Sequence, residues 1–291
     1  MGKDFFRELL TNNIDNSDVV LLGIPYDLGC SCGRGASMAP GVIRELSSYL
    51  PPFTMDGKSL KDIKIYDYKD VSLFDEIEDK FKGVLKYDKF NLVIGGDHSV
   101  SIPTQKAFYE YAKDLNKIPV IIHLDAHPDI CDFYDGSKYS HACTNMRAIE
   151  NGYAHENITM VGIRGYEEQE VIYFNEHPEI KVFNASYINE YGFSEVINYL
   201  INKYGSKDDY LIYLSYDIDI NDPSFAPGTG TPEAFGINSI KLMNFIKVLF
   251  KNLPIKVMDI VEISPVLDTN NITSWLALKT IYEVLGLIKG E

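Results

Sequence analysis

Asp125, His127 and Asp129 recur at every second position directly after the apolar run Ile118-Pro-Val-Ile-Ile122. A strand points alternate side chains to one face. Two carboxylates and an imidazole therefore converge in a small volume at the strand's end. Such groups repel one another or waste solvation unless a cation sits among them. A divalent metal fits, since imidazole and carboxylate are its usual ligands. The blander alternative for this stretch alone is a polar strand end in water.

Two further groups change that balance. Asp217 and Asp219, again two apart, close the apolar run that starts at Tyr210. His98 follows Gly95-Gly-Asp97 at the end of Phe90-Asn-Leu-Val-Ile94, where glycine lets the backbone turn sharply. Alone, a histidine there would more often be structural. Together His98, Asp125, His127, Asp129, Asp217 and Asp219 supply two imidazoles and four carboxylates. One ion rarely needs so many; two ions ~3.5–4 Å apart, sharing carboxylates, fit the count. Zinc usually brings cysteine or more histidine, so the oxygen-rich set leans to Mn²⁺. A water between two such ions becomes hydroxide near neutral pH and can attack an sp² carbon.

The elements that must position these residues alternate along the chain. Apolar, β-branched runs predict strands at 18–24, 62–67, 90–94, 118–125, 157–163, 210–219 and 255–262. Helices are expected at 4–11, 40–48, 73–87, 100–114, 143–151, 167–175, 193–204, 237–251 and 271–288. No linker or repeat interrupts the pattern. It predicts one α/β domain over residues 1–291: a three-layer αβα arrangement with a mostly parallel central sheet. In such folds ligands bind beyond the carboxyl ends of the strands, where every motif above falls. The glycine-rich loop 25–35 lacks the order of a phosphate-cradling loop, but loops of its length often serve sites.

Net charge is −15, which disfavours nucleic acid and anionic membranes and favours cationic ligands. No apolar run approaches the ~20 residues of a membrane span, and the first residues lack a signal peptide's apolar segment. A cytoplasmic protein is expected. Cys30, Cys32, Cys131 and Cys143 match no zinc or disulfide framework and read as free thiols.

Five motifs in order are then recognisable: Gly-Gly-Asp-His-Ser at 95–99, Asp-Ala-His-x-Asp at 125–129, Ser-x-Asp-x-Asp-x-x-Asp-Pro at 215–223, Pro-Gly-Thr-Gly-Thr-Pro at 227–232 and Val-Glu-Ile-Ser-Pro at 261–265. The chain resembles the ureohydrolase family of arginases, agmatinases and related amidinohydrolases, and agmatinases most. The resemblance spans essentially the whole chain. It implies an arginase-like fold, two Mn²⁺ ions, and hydrolysis of a guanidino group to urea and an amine. It also implies a homo-oligomer, a trimer or hexamer. Carried over, His98 would hold one ion and His127 the other. Asp125 and Asp217 would be shared, Asp219 would serve the second ion, and Asp129 would serve the first and accept a hydrogen bond from the bridging hydroxide. Glu262 would pair with the guanidinium. His141 would shuttle a proton to the leaving amine. His123 reads as a supporting or core residue, and Asp97 and Asp222 as loop-orienting.

The substrate's tail is read from fewer residues. Where arginases resemble one another in an asparagine, this chain has Cys131 followed by Asp132, which gives a carboxylate tail little to bind. Glu167 falls where arginases use an acid toward the substrate's amine, although a helix-start acid explains it as well. The expected substrate is therefore a small cationic guanidine, agmatine first, giving putrescine and urea. Arginine, guanidinobutyrate and formiminoglutamate are alternatives, and a metal-binding pseudoenzyme is a further one. Cys143-Thr-Asn145, Ala234-Phe235 and the cysteines of loop 25–35 depart from the family pattern and bear on substrate size.

Overall fold

The computed structural model describes residues 5–205 and 208–288. Among these, eight strands form one sheet, every pairing parallel, in the order β2-β1-β3-β8-β7-β4-β5-β6. They are β1 (Val19–Gly23), β2 (Ile65–Asp70), β3 (Phe90–Ile94), β4 (Ile118–Leu124), β5 (Ile158–Ile163), β6 (Lys181–Asn184), β7 (Tyr210–Asp217) and β8 (Ile255–Val261). The helices are α1 (Ala39–Ser47), α2 (Phe74–Leu85), α3 (Ser101–Asp114), α4 (Thr144–Glu150), α5 (Glu168–Glu176), α6 (Ala185–Tyr191), α7 (Ser194–Tyr204), α8 (Ser239–Asn252) and α9 (Ile272–Ile288). No helix of the described residues is long and apolar enough to cross a membrane.

The strands alternate between two helical layers. Val19, Leu21, Leu92, Ile212, Leu214 and Met258 pack with α1, α7, α8 and α9 on one face. Val20, Leu22, Val93, Tyr213 and Val257 pack with α2 and α3 on the other. Ile121, Ile158 and Met160 meet α4 there. Both faces are covered, so the central strands read as nearly continuous apolar runs. The expected three-layer αβα architecture with a parallel sheet is the one observed.

The differences lie at the edges. β6 and α6 were not expected; β6 is a four-residue edge strand whose ends are Lys181 and Asn184, and α6 is too short to show a helical period. β2, the opposite edge, begins three residues later than expected, and its last residues are exposed. Residues 4–11 do not form the expected helix. Phe6 and Arg7 take positive φ and only a 3₁₀ turn, Arg7–Leu9, follows; residue 4 lies outside the described residues.

Candidate metal and substrate site

Four neighbouring strands, β3, β8, β7 and β4, end on the same edge of the sheet, and each delivers part of one site. After β3 the chain turns through Gly95-Gly96, where a Cβ on Gly96 would lie 1.7 Å from the Tyr26 carbonyl oxygen. Asp97 then caps the next turn. It accepts from the Ser99 N–H at 2.9 Å and, across the chain, from the Gly29 N–H at 2.7 Å. Burial, aided by the Glu262 charge, raises the Asp97 carboxyl to about 6. This tie docks the glycine-rich loop 25–35 against the strand ends. After β4, Asn145 holds the chain, donating its backbone N–H to the Asp129 carbonyl and its side-chain amide to the Pro128 carbonyl, both at 2.8 Å. Thr144 bridges the His98 and His141 carbonyls. Asp129 and Glu262 both adopt positive φ, 51° and 61°, a conformation that costs a non-glycine residue ~1–3 kcal/mol and collects at functional sites.

The six expected ligands converge as two groups. In the first, His98 Nδ1 lies 3.0 Å from Asp125 Oδ2, 3.0 Å from Asp129 Oδ2 and 3.1 Å from Asp217 Oδ2. In the second, His127 Nδ1 lies 3.1 Å from Asp219 Oδ2 and 3.6 Å from Asp125 Oδ1. Asp125 belongs to both, one oxygen to each. Asp217 gives Oδ2 to the first group, and its Oδ1 accepts from the Asp219 N–H.

His98 is oriented from behind. Its Nε2 meets Ser215 Oγ at 2.9 Å, and that hydroxyl donates to Asp259 Oδ1 at 2.9 Å. Ser215 therefore accepts from an Nε2 proton, and Nδ1 is left with a lone pair facing carboxylates. His98 Nδ1, Asp125 Oδ2 and Asp219 Oδ2 are buried without a hydrogen-bond partner. Buried polar atoms are normally paired, and three acceptors aimed into shared space call for a cation. Without one the groups compete for protons. Burial and the charges of Asp219 and Asp125 push Asp217 well up, while burial, opposed by three carboxylates, leaves His98 well above its ordinary value. The donor set thus fits two divalent ions, and its oxygen-rich chemistry suits Mn²⁺.

Two other groupings do not fit. His123 also approaches Asp125 Oδ2, at 3.1 Å, but its Nε2 lies 2.9 Å from the His127 carbonyl, an acceptor only. That nitrogen must carry the proton, so His123 supports the site rather than ligating. On the surface, His155, His177 and Glu179 cluster, yet the two rings stack 4.3 Å apart at 10°. In-plane lone pairs of stacked rings do not converge on one ion.

Beside the ligands lies a cavity of about 170 Å³ lined by His127, Asp129, His141, Glu167, Glu170 and Glu233, with Ser31, Tyr134, Ala142, Gly165, Tyr166 and Thr231. His141 is buried. Its Nδ1 meets Glu262 Oε1 at 3.2 Å, and its Nε2 meets Ser31 Oγ at 3.0 Å and the Ser31 N–H at 3.3 Å. Burial would lower its pKa, but Glu262 dominates and raises it to about 9. Glu262 lies behind His141, outside the cavity lining, and its Oε1 also accepts from the His98 N–H at 2.8 Å. Glu167 is exposed at the N-cap of α5, forms a capping box with Glu170 and accepts from Tyr134 Oη at 3.2 Å. It both caps the helix and lines the cavity.

The Cys131–Asp132 expectation needs correction. Cys131 is buried, and Asp132 turns outward to Arg147 at 2.7 Å and Lys138 at 3.2 Å. Neither lines the cavity. The N–H groups on either side of Cys131 explain this. Ile130 donates to Glu170, Cys131 to the Ala142 carbonyl and Asp132 to Gln169, which turns the segment away. The sequence reading missed Ser31, Tyr134, Glu233 and Asp259. Only Asp259 carried a usable signal, as a lone carboxylate within the apolar strand Val257-Met-Asp-Ile-Val261.

The arginase family model matches residues 17–286. The chain belongs to the arginase family. It is 32% identical to an agmatinase of Bacillus subtilis over 94% of this chain and 93% of that protein. It is 30% identical to a guanidinobutyrase of Pseudomonas aeruginosa over 95% of this chain and 88% of that one. Among solved structures, a proclavaminate amidinohydrolase from Streptomyces clavuligerus superposes with a TM-score of 0.85 at 30% identity, covering 99% of this chain and 97% of that one. These arginase-family relatives differ in the tail of the molecule their names refer to, so the cavity wall bears directly on the choice among them.

Proposed function

We propose that this arginase-family chain is a Mn²⁺-dependent agmatinase, hydrolysing the guanidino group of agmatine to urea and putrescine. One observation carries the reading: two groups of buried, orphaned acceptors, joined through Asp125, stand at a cavity whose lining holds four carboxylates and no lysine or arginine. A guanidine with an ammonium tail suits that lining. Arginine and guanidinobutyrate would bring a carboxylate to a lining whose cationic ring, His141, is already paired with Glu262.

His98, Asp125, Asp129 and Asp217 would hold one ion, and His127, Asp125 and Asp219 the other. When bound, such ions activate water for attack on an sp² carbon. The chain's own residues do the rest. Glu262, whose Oε1 is engaged by His98 and His141, offers its other carboxylate oxygen to the guanidinium and orients its carbon toward the ligands. Asp129, at the boundary between ligands and cavity, is placed to hold the proton released by the attacking water. His141 stays protonated at neutral pH because Glu262 stabilises its charge. Its Nε2, facing Ser31 at the cavity wall, delivers a proton to the departing amine. Ser31 serves both states of that ring: its N–H donates to a neutral Nε2 and its Oγ accepts from a protonated one.

The test is urea release from the Mn²⁺-loaded protein with agmatine, arginine and guanidinobutyrate side by side. Preference for agmatine is expected. Preference for a carboxylate-tailed guanidine would keep the chemistry and overturn the tail assignment. Two bound ions with no urea from any of the three would favour a pseudoenzyme or a different substrate.

A further inference from the structure

The cavity wall contains a carboxylate whose place in the site no sequence motif announced. Glu233 follows the Pro-Gly-Thr-Gly-Thr-Pro loop and lines the same cavity as His127, His141 and Glu167. It is half-buried. Its stem packs close to the second ligand group: a Cβ built on Gly165 would lie 2.6 Å from the His127 ring and 3.3 Å from Glu233 Cγ. Only a residue without a side chain fits between them.

The nearby charges are otherwise spent. Glu170 is occupied by the backbone N–H groups of Ile130 and Glu167. Arg164 feels the Glu233 charge, but its guanidinium is consumed by backbone carbonyls, including Asp219 at 2.7 Å, Glu233 at 2.8 Å and Ala234 at 3.0 Å. The Glu233 carboxylate has no hydrogen-bond or ion-pair partner among the described residues. A partly desolvated carboxylate without a partner is costly, and a cationic ligand arriving there recovers that cost.

We propose that Glu233 is the specificity-determining acceptor for the substrate's tail, forming with Glu167 an anionic clamp for a primary ammonium. This deepens the agmatinase reading and rests on it. The clamp draws on two separate loops, the start of α5 and the segment after Pro232, so a tail between them is held from both. It selects linear guanidines that end in an ammonium and discriminates against neutral or carboxylate ends. Glu167 contributes less, since it is exposed and already engaged as a helix cap.

The test compares wild type, Glu233→Gln and Glu233→Lys, Mn²⁺-loaded, on agmatine, n-butylguanidine and 4-guanidinobutyrate. Butylguanidine has the same reacting group and no charged tail, so its turnover reports the reaction and the fold of each variant. Glu233→Gln should lower kcat/KM for agmatine, mainly through KM, roughly three- to tenfold relative to butylguanidine. Glu233→Lys should raise guanidinobutyrate relative to agmatine. An agmatine-to-butylguanidine ratio that moves less than twofold in both variants overturns the clamp while the agmatinase reading stands. If wild type turns over none of the three, that reading fails and the clamp fails with it.

Discussion

Asp259→Ala tests whether the ligand scaffold is built as described. Asp259 is fully buried and accepts from Ser101 Oγ at 2.6 Å, Tyr213 Oη at 2.7 Å, Ser215 Oγ at 2.9 Å and the Tyr216 N–H at 3.1 Å. Two of these donors have other partners nearby: Tyr213 meets Thr104 Oγ1 at 2.8 Å, and Ser215 meets His98 Nε2. The Ser101 hydroxyl and the Tyr216 N–H would be left orphaned, at ~1–3 kcal/mol each. Removing a buried charge offsets part of that. A net loss of about 3 kcal/mol lowers Tm by roughly 5 °C in a protein of this size. A second effect follows at the site. Freed from Asp259, Ser215 can donate to His98 Nε2 and place the proton on Nδ1, the proposed ligand atom. Metal affinity should fall roughly 10- to 100-fold, as for other losses of a group that orients a ligand. Thermal unfolding in chelator reads the first effect and Mn²⁺ titration the second. A variant within 2 °C of wild type that binds Mn²⁺ equally well would refute the argument.

Two further predictions concern His141, the proposed proton shuttle, and the turn before His98. Glu262→Gln removes the main group that raises His141, so in metal-free protein the ring's titration, followed by NMR of labelled histidine, should move from about 9 toward or below its ordinary value. An unmoved titration would show that Glu262 does not govern it. The sign for stability follows from the raised pKa: the His141 contribution is fully present below about 6.5 and is lost as pH rises through about 9. Gly96→Ala places a methyl 1.7 Å from the Tyr26 carbonyl, so the backbone must move. Overpacking of this kind costs ~1–3 kcal/mol, and weaker Mn²⁺ binding should accompany it because His98 lies two residues on. Unchanged stability and affinity by thermal melt and titration would contradict that steric account.

The sequence revealed most where the physics is local. Strand β3 matched residues 90–94 because a strand covered on both faces is nearly all apolar, here with only Asn91 as an exception. The convergence of the candidate ligands was legible because polar side chains at two-residue spacing beyond an apolar run gather at a strand's end. β6 and the start of β2 were not, since an edge strand is partly solvated and its composition does not separate it from loop. The cavity wall was the least legible part. Ser31, Tyr134 and Glu233 stand on three loops whose meeting depends on distant ties, such as Asp97 to Gly29 and Asp222 to Gly236. The Cys131–Asp132 inference failed for the same reason. Position along the chain placed these residues near the site, but Glu170, Ala142 and Gln169 decide which way that segment faces.

The central claim is a two-ion site that shares Asp125. Its most direct test is the manganese count per chain after equilibration with Mn²⁺, with Asp125→Asn measured alongside. The geometry predicts two ions in wild type, with the EPR signature of a coupled pair, and no more than one in the variant, with that signature gone. One ion or none in wild type, or a coupled pair that survives in Asp125→Asn, would contradict it.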